Sequence, residues 1–141
     1  MSVDIELIKR KINLILEDMG RLRELTKLTI DDFLLDYRHE ILAERLLERI
    51  IGRVIDINYH IVTENLLITP KDYRDSFLKL IEIGVLKSEF AQKFAKLAGL
   101  RNRLAHEYNG LDKEKIFQAA KEIVLELPYY LKAVDNFLLE K

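Results

Sequence analysis

Between Gly99 and Gly110 the chain reads GLRNRLAHEYNG, which gathers Arg101, Asn102, Arg103, His106 and Tyr108 into one short stretch. These side chains suit one kind of chemistry. Arginine presents a planar, permanently charged fork of donors that fits phosphate or carboxylate. Histidine changes charge near neutral pH and can give or take a proton. If a helix beginning at Ser88 continues to Asn109, residues four apart differ by roughly 40° around its axis. Asn102 and His106 then share a face, and Arg103 lies roughly 60° from His106 on the other side. Asn102 and Arg103 could flank the imidazole, one to orient it and one to supply charge. Arg101 is five residues from His106, roughly 140° around the axis, and one straight helix would hold that pair poorly together. Either the arginine reaches around, or His and Arg meet across a symmetric dimer. His106 also falls in the last helical turn, where the dipole favours its protonated form.

Each of these residues has an ordinary structural use as well. Arginines near a helix end cap carbonyls, Tyr108 can lay its ring on Leu104 with its hydroxyl in water, and Asn102 can bond locally. Clustering favours function, because the chain has only three histidines and this one has polar neighbours ready-made. Local charge agrees. From Lys87 to Arg103 the bases are Lys87, Lys93, Lys96, Arg101 and Arg103 against Glu89 alone, a setting suited to a phosphate-bearing ligand. His60, with Asp56 and Glu64 at one-turn spacing, reads as a metal-ligand pair or a surface salt bridge, and His39 follows Asp36 by three. Neither gives the repeated Glu-x-x-His of a di-iron bundle. Glycine-rich phosphate loops, Gly-x-Ser-x-Gly elbows and His-Glu-x-x-His motifs are absent from the sequence. No metal and no cofactor are expected.

The elements that must carry this stretch are helical. Ile5, Ile8, Ile12, Ile15, Met19 and Leu22 alternate in steps of three and four. Thr29 or Asp31 can cap a short turn through Phe33 and Leu34. The longest helix is expected from about Arg38 to about Asn65, with Ala43, Leu47, Ile50, Val54, Ile57 and Ile61 as its seam. Leu42, Leu46, Ile51, Ile55 and Val62 widen that seam, so this helix is either central or covered by another subunit. Arg45 with Arg49 and Glu44 with Glu48 read as a solvated face of crossed charges. Thr69 before Pro70 is a candidate cap for a short helix from Lys71 to Ile83, closed by Gly84. Asn109-Gly110 marks a stop. A terminal helix follows through Ile116, Ala120, Ile123, Leu127, Leu131, Val134 and Leu138, and Pro128 should kink or divide it. The expected fold is an all-α antiparallel bundle of four to five helices, four of them long with one or two short ones, as a single domain over residues 1–141.

Composition narrows the function classes. At 141 residues, with 49% hydrophobic and 33% charged, the chain is globular rather than disordered. It has no cysteine, which excludes disulfides, thiolate metal sites and cysteine nucleophiles. No apolar run approaches the length of about 18 residues needed to cross a membrane. The opening MSVDIELIKR lacks the basic-then-apolar order of a signal peptide, so a cytoplasmic protein is expected. With 23 basic and 24 acidic residues, no global field advertises duplex DNA.

LRNRLAHEYNGLD resembles the signature of the HepT-like family within the HEPN superfamily of helical-bundle proteins. That signature is an arginine, four residues, a histidine, one residue and a tyrosine, usually with asparagine after the arginine. Arg101, Asn102, His106 and Tyr108 match it without a gap. ERLLERIIGRVIDINYHIV resembles the family's long second helix, and TPKDYRDSFLKLIEIGVL its following segment. The resemblance implies a homodimer that joins two copies of the motif at a cleft. It also implies a metal-independent endoribonuclease toxin acting on single-stranded RNA. An MNT-type nucleotidyltransferase antitoxin is the implied partner, silencing the toxin by transferring AMP to Tyr108. On that basis Arg101 and His106 are the catalytic candidates and Asn102 and Arg103 support them. The alternatives are a non-catalytic module in which the same residues hold a nucleotide or a partner, and a purely structural subunit of a nucleotidyltransferase complex.

Overall fold

The computed structural model describes residues 3–106 and 111–141. Among these residues the chain forms six helices and no strand: α1 Ile5–Thr26, α2 Ile30–Leu35, α3 Tyr37–Leu66, α4 Tyr73–Ile83, α5 Ser88–His106 and α6 Lys113–Leu139. The expected bundle is present, with four long helices and both of the short ones. Five of the six helix starts are set by side-chain caps. The Asp4 carboxylate accepts from the Leu7 N–H at 3.0 Å to start α1, and the Thr29 hydroxyl accepts from Asp32 at 3.1 Å to start α2. Asp112 caps α6 through Glu114 and Lys115.

Two boundaries differ from the sequence expectation. α4 is capped by Asp72 rather than Thr69. The Asp72 carboxylate accepts from the Asp75 N–H at 2.7 Å while Asp75 reaches back to the Lys71 N–H at 2.9 Å, a reciprocal arrangement that fixes the start two residues later. α6 runs undivided through Pro128, which lies on its exposed face. Gly84 closes α4 as expected, at φ 90°.

α3 organises the bundle by touching all five other helices. Its whole seam, Ala43, Leu47, Ile50, Val54, Ile57 and Ile61, is fully buried, as are Ile51 and Val62 beside it. Of the two expected positions for so apolar a helix, the central one is observed. Cross-helix contacts fix the directions. Asp4 meets His60, Lys11 meets Asp56 and Asp18 meets Arg49 and Arg53, so α1 runs antiparallel to α3. Glu40 with Lys113, and Val54 and Asn58 with Tyr130, make α3 and α6 parallel, while Phe90 with Tyr129 and Lys93 with Glu126 make α5 and α6 antiparallel.

The interior of α3 contains a polar node. The Tyr130 hydroxyl donates to Asn58 Oδ1 at 2.5 Å, with the Val54 carbonyl 3.2 Å away as its other acceptor. Asn58 Nδ2 donates to the Ser76 hydroxyl at 3.2 Å, which donates to the Tyr73 carbonyl at 2.6 Å. Three helices are thereby held in one register, and burial pushes the Tyr130 phenol well above its ordinary pKa of 10.0. Tyr130→Phe is expected to lower unfolding stability by about 1–3 kcal/mol, since it strands a buried amide oxygen; chemical denaturation measures this.

At the start of α3 the Asp36 carboxylate caps the Arg38 N–H at 2.9 Å and also accepts from the Arg38 guanidinium at 2.7 Å. The Arg38 side chain holds this carboxyl at about 2, below its ordinary 3.8. Because the folded pKa is depressed, the charged cap is intact above the ordinary value and is lost as pH falls through about 2. A carbon-detected NMR titration should place the Asp36 midpoint there.

Candidate functional site

α5 carries the sequence candidates out of the core. Its inner face is apolar, with Ala91, Phe94, Ala95, Ala98 and Leu100 buried, and its last turn is polar. Arg101 turns inward between α3 and α4, half-buried, with its guanidinium carbon 5.3 Å from the centre of the Tyr73 ring. That geometry is a cation–π contact, which occupies the guanidinium's flat face and leaves its edge donors for other partners. Arg103, roughly 200° further around the helix, lies on the opposite flank and lines a groove of about 480 Å³ between α5 and α6. Lys93, Lys96 and Lys115 share that groove, with Lys93 held by Glu126 at 2.6 Å. Asn102 and His106 are exposed on a common face, as the spacing requires. Among the described residues, none of Asn102, Arg103 and His106 makes a side-chain hydrogen bond with another. α5 runs as one continuous helix through both Arg101 and His106, which leaves the two on different sides of it. Tyr108 lies outside the described residues.

The other two histidines have structural partners. His60 Nε2 accepts the Asp4 N–H at 2.9 Å and so closes the start of α1, while Asp56 pairs with Lys11. His39 Nδ1 donates to the Phe33 carbonyl at 3.3 Å and its ring stacks on Phe33. Among the described residues no three acidic or histidine side chains are grouped to hold a metal.

A second groove, of about 300 Å³, opens beside Arg101, lined by Arg45, Glu48, Arg49, Arg53, Asp56 and Tyr73. Under it lies Asp18, with no exposed surface. Its carboxylate accepts from Arg53 Nη1 at 2.8 Å and Arg21 Nη1 at 2.9 Å. Arg49 Nε comes within 3.0 Å but off the hydrogen-bond line, and this buried nitrogen has no aligned acceptor. The face read as solvated is therefore divided: Arg45 pairs with Glu48 at 3.6 Å in solvent, whereas Arg49 is drawn to α1. Sequence reasoning missed Asp18, Arg49, Arg53 and Tyr73. The available signal was an aspartate next to Met19 of the apolar stripe of α1 and arginines recurring every four residues along α3.

The sequence model of the family described as Ribonuclease HepT-like matches residues 15–134, which include Arg101 and His106. The chain belongs to this family. With HepT-like membership comes the enzyme class, endoribonuclease, on the all-α HEPN fold. A relative named tRNA nuclease HepT, from Aphanizomenon flos-aquae, is 30% identical over 140 residues, spanning 98% of this chain and 94% of that protein. Among solved structures, a tri-AMPylated Shewanella oneidensis HEPN toxin in complex with an MNT antitoxin superposes with a TM-score of 0.82 at 24% identity. The match covers 96% of this chain and 99% of that one. A toxin-antitoxin complex with AMP-PNP gives 0.83 at 21% identity over 93% and 98% of the two chains. These likenesses establish the same fold in a HepT-like chain. No described helix is long and apolar enough to cross a membrane.

Because Asp18 is fully buried against arginines from two helices, Asp18→Ala should cost about 3 kcal/mol of stability, read as a lower denaturation midpoint at unchanged slope.

Proposed function

We propose that this HepT-like chain is the toxin of a toxin-antitoxin pair, a metal-independent endoribonuclease that cleaves single-stranded RNA through its own 2′-hydroxyl. The observation that carries this reading is the family match across a motif whose arginine and histidine are both left accessible by the fold. RNA supplies the nucleophile, so the protein has only to move protons and stabilise charge. His106, exposed at the end of α5, acts as general acid or base. Arg101, with its flat face on Tyr73 and its edge donors without a partner among the described residues, holds the scissile phosphate and stabilises its developing charge. Asn102, on the same face as His106, orients the imidazole or binds phosphate, and Arg103 adds positive charge.

The separation of Arg101 and His106 around a single helix supports a homodimer in which the Arg of one chain works with the His of the other at a shared cleft. Two histidines there divide the acid and base roles. The working unit in this reading is one HEPN domain per chain. The partner is an MNT-type nucleotidyltransferase antitoxin, which silences the toxin by placing AMP on Tyr108. The solved HEPN toxin that carries AMP in complex with an MNT antitoxin supports this control. AMP there adds bulk and negative charge beside a cationic surface and repels the substrate backbone.

Labelled single-stranded RNA incubated in excess EDTA should be cut by the wild type to leave 2′,3′-cyclic phosphate ends. His106→Ala and Arg101→Ala should each lose about 10²–10⁴ in rate. Mass spectrometry of the same preparation establishes whether Tyr108 carries AMP. Cutting that survives His106→Ala, or products ending only in 5′-phosphate, would sink the mechanism. An unmodified chain that binds nucleotide without cutting would instead be the non-catalytic module.

A further inference from the structure

The groove beside Arg101 holds more positive charge than its packing needs. One carboxylate is balanced by one arginine, yet Asp18 gathers Arg21, Arg49 and Arg53. A guanidinium has five N–H donors. Asp18 engages a single donor of Arg53 and lies off-line from the buried Nε of Arg49. Among the described residues the remaining donors of these two arginines meet no acceptor within hydrogen-bonding geometry. Arg45 continues the row on α3, and Arg101 closes the far wall. The two acids that line the groove are each paired with a base, Glu48 with Arg45 at 3.6 Å and Asp56 with Lys11 at 3.3 Å, so Arg45 has to exchange a partly exposed carboxylate for a phosphate.

Spacing tells what such a row can hold. Arg45, Arg49 and Arg53 recur every four residues, about 6 Å per step along the helix. That is the order of one nucleotide step along an extended strand. A groove of about 300 Å³ is too small for a duplex and admits a piece of single-stranded backbone. Its walls are donors with one aromatic ring, Tyr73, which is already covered by Arg101. Recognition of phosphate therefore outweighs recognition of a base.

We propose that Arg45, Arg49 and Arg53 form a second phosphate subsite, which takes a phosphodiester of the RNA strand flanking the one held by Arg101, and that Asp18 positions the guanidiniums of Arg49 and Arg53 for it. This rests on the ribonuclease reading for the identity of the strand. Because it grips only the backbone, the subsite raises affinity for a strand without regard to its sequence. Asp18 touches no substrate. Its carboxylate fixes where the two guanidiniums point, so that their free edges face the groove before RNA arrives.

The test reads binding rather than cleavage. Anisotropy of a fluorescent single-stranded oligoribonucleotide is followed on the full chain carrying His106→Ala, across a range of salt. Two variants are built on that background. Arg45→Ala alters only an exposed side chain. The triple variant Asp18→Asn, Arg49→Gln, Arg53→Gln removes the charges together, so that no buried carboxylate is left unpaired, and a thermal melt confirms its fold. Affinity should fall about tenfold in the triple variant. The slope of log K against log salt should become shallower by about 0.7 for each phosphate that is no longer neutralised. Arg45→Ala alone should show one such step, which keeps the proposal testable if the triple variant does not fold. Unchanged affinity and slope in both variants, or no RNA binding by the parent chain at low salt, would overturn it. ATP and inorganic pyrophosphate are titrated in parallel. If they bind more weakly to the variants while RNA does not, the groove belongs to a free nucleotide and the proposal falls. Arginine-dependent RNA binding by a chain whose wild type cuts no RNA would support the subsite and overturn the ribonuclease reading instead.

Discussion

α3 touches every other helix of the bundle, and its apolar seam is buried along its whole length. Its apolar residues leave water at about 1.5–3 kcal/mol each, which makes it the axis on which the bundle is built. The same burial sets a strict condition on its polar groups. Any donor or acceptor carried inward by α3 must find a partner or cost more than most single interactions contribute. Asn58 finds Tyr130 and Ser76, and Arg53 finds Asp18, while Arg49 lies beside that carboxylate with its buried Nε off-line. These few pairings fix register in a way that interchangeable leucines and isoleucines do not.

Both polar clusters lead outward to the same place. From Asn58 the chain of bonds passes through Ser76 to the backbone of Tyr73, whose ring carries the guanidinium of Arg101. From Asp18 it passes directly to the arginines of the neighbouring groove. The surface around Arg101 is thus set by buried hydrogen bonds on α1, α3, α4 and α6. His106 is held differently. It stands in the last turn of α5, exposed, and has no side-chain hydrogen bond among the described residues.

What could be read from the sequence was what is local. The stripe of α1, the seam of α3, Gly84 after α4 and the helix opening at Ser88 follow from periodicity and from caps within a few residues. Arg101, Asn102 and His106 stood out because their types cluster, and the family motif assigned them in advance. The cap of α4 was misplaced because Thr69 beside Pro70 looks adequate until the exchange between Asp72 and Asp75 is seen. Pro128 divides nothing, since it sits on an exposed face where the carbonyl it leaves unpaired meets solvent. The pairing of Asp18 with Arg49 and Arg53 was not legible, because it joins helices more than thirty residues apart and an acid in an amphipathic helix ordinarily faces water. His60 misled for the same reason, its true partner being the backbone of Asp4.

The stack of Arg101 on Tyr73 also bears on when this protein can act. An arginine resting on an aromatic ring is tethered. To swing around α5 towards the histidine of its own chain it would have to leave that ring. A single copy then keeps Arg101 and His106 on different sides of α5, and in the proposed ribonuclease two copies would unite them. Activity divided in this way follows the square of the free-chain concentration while dimers are scarce. Sparse molecules are nearly silent, and a modest rise in copy number produces a disproportionate onset. In the proposed toxin, such a threshold would guard against stray synthesis before any antitoxin is needed.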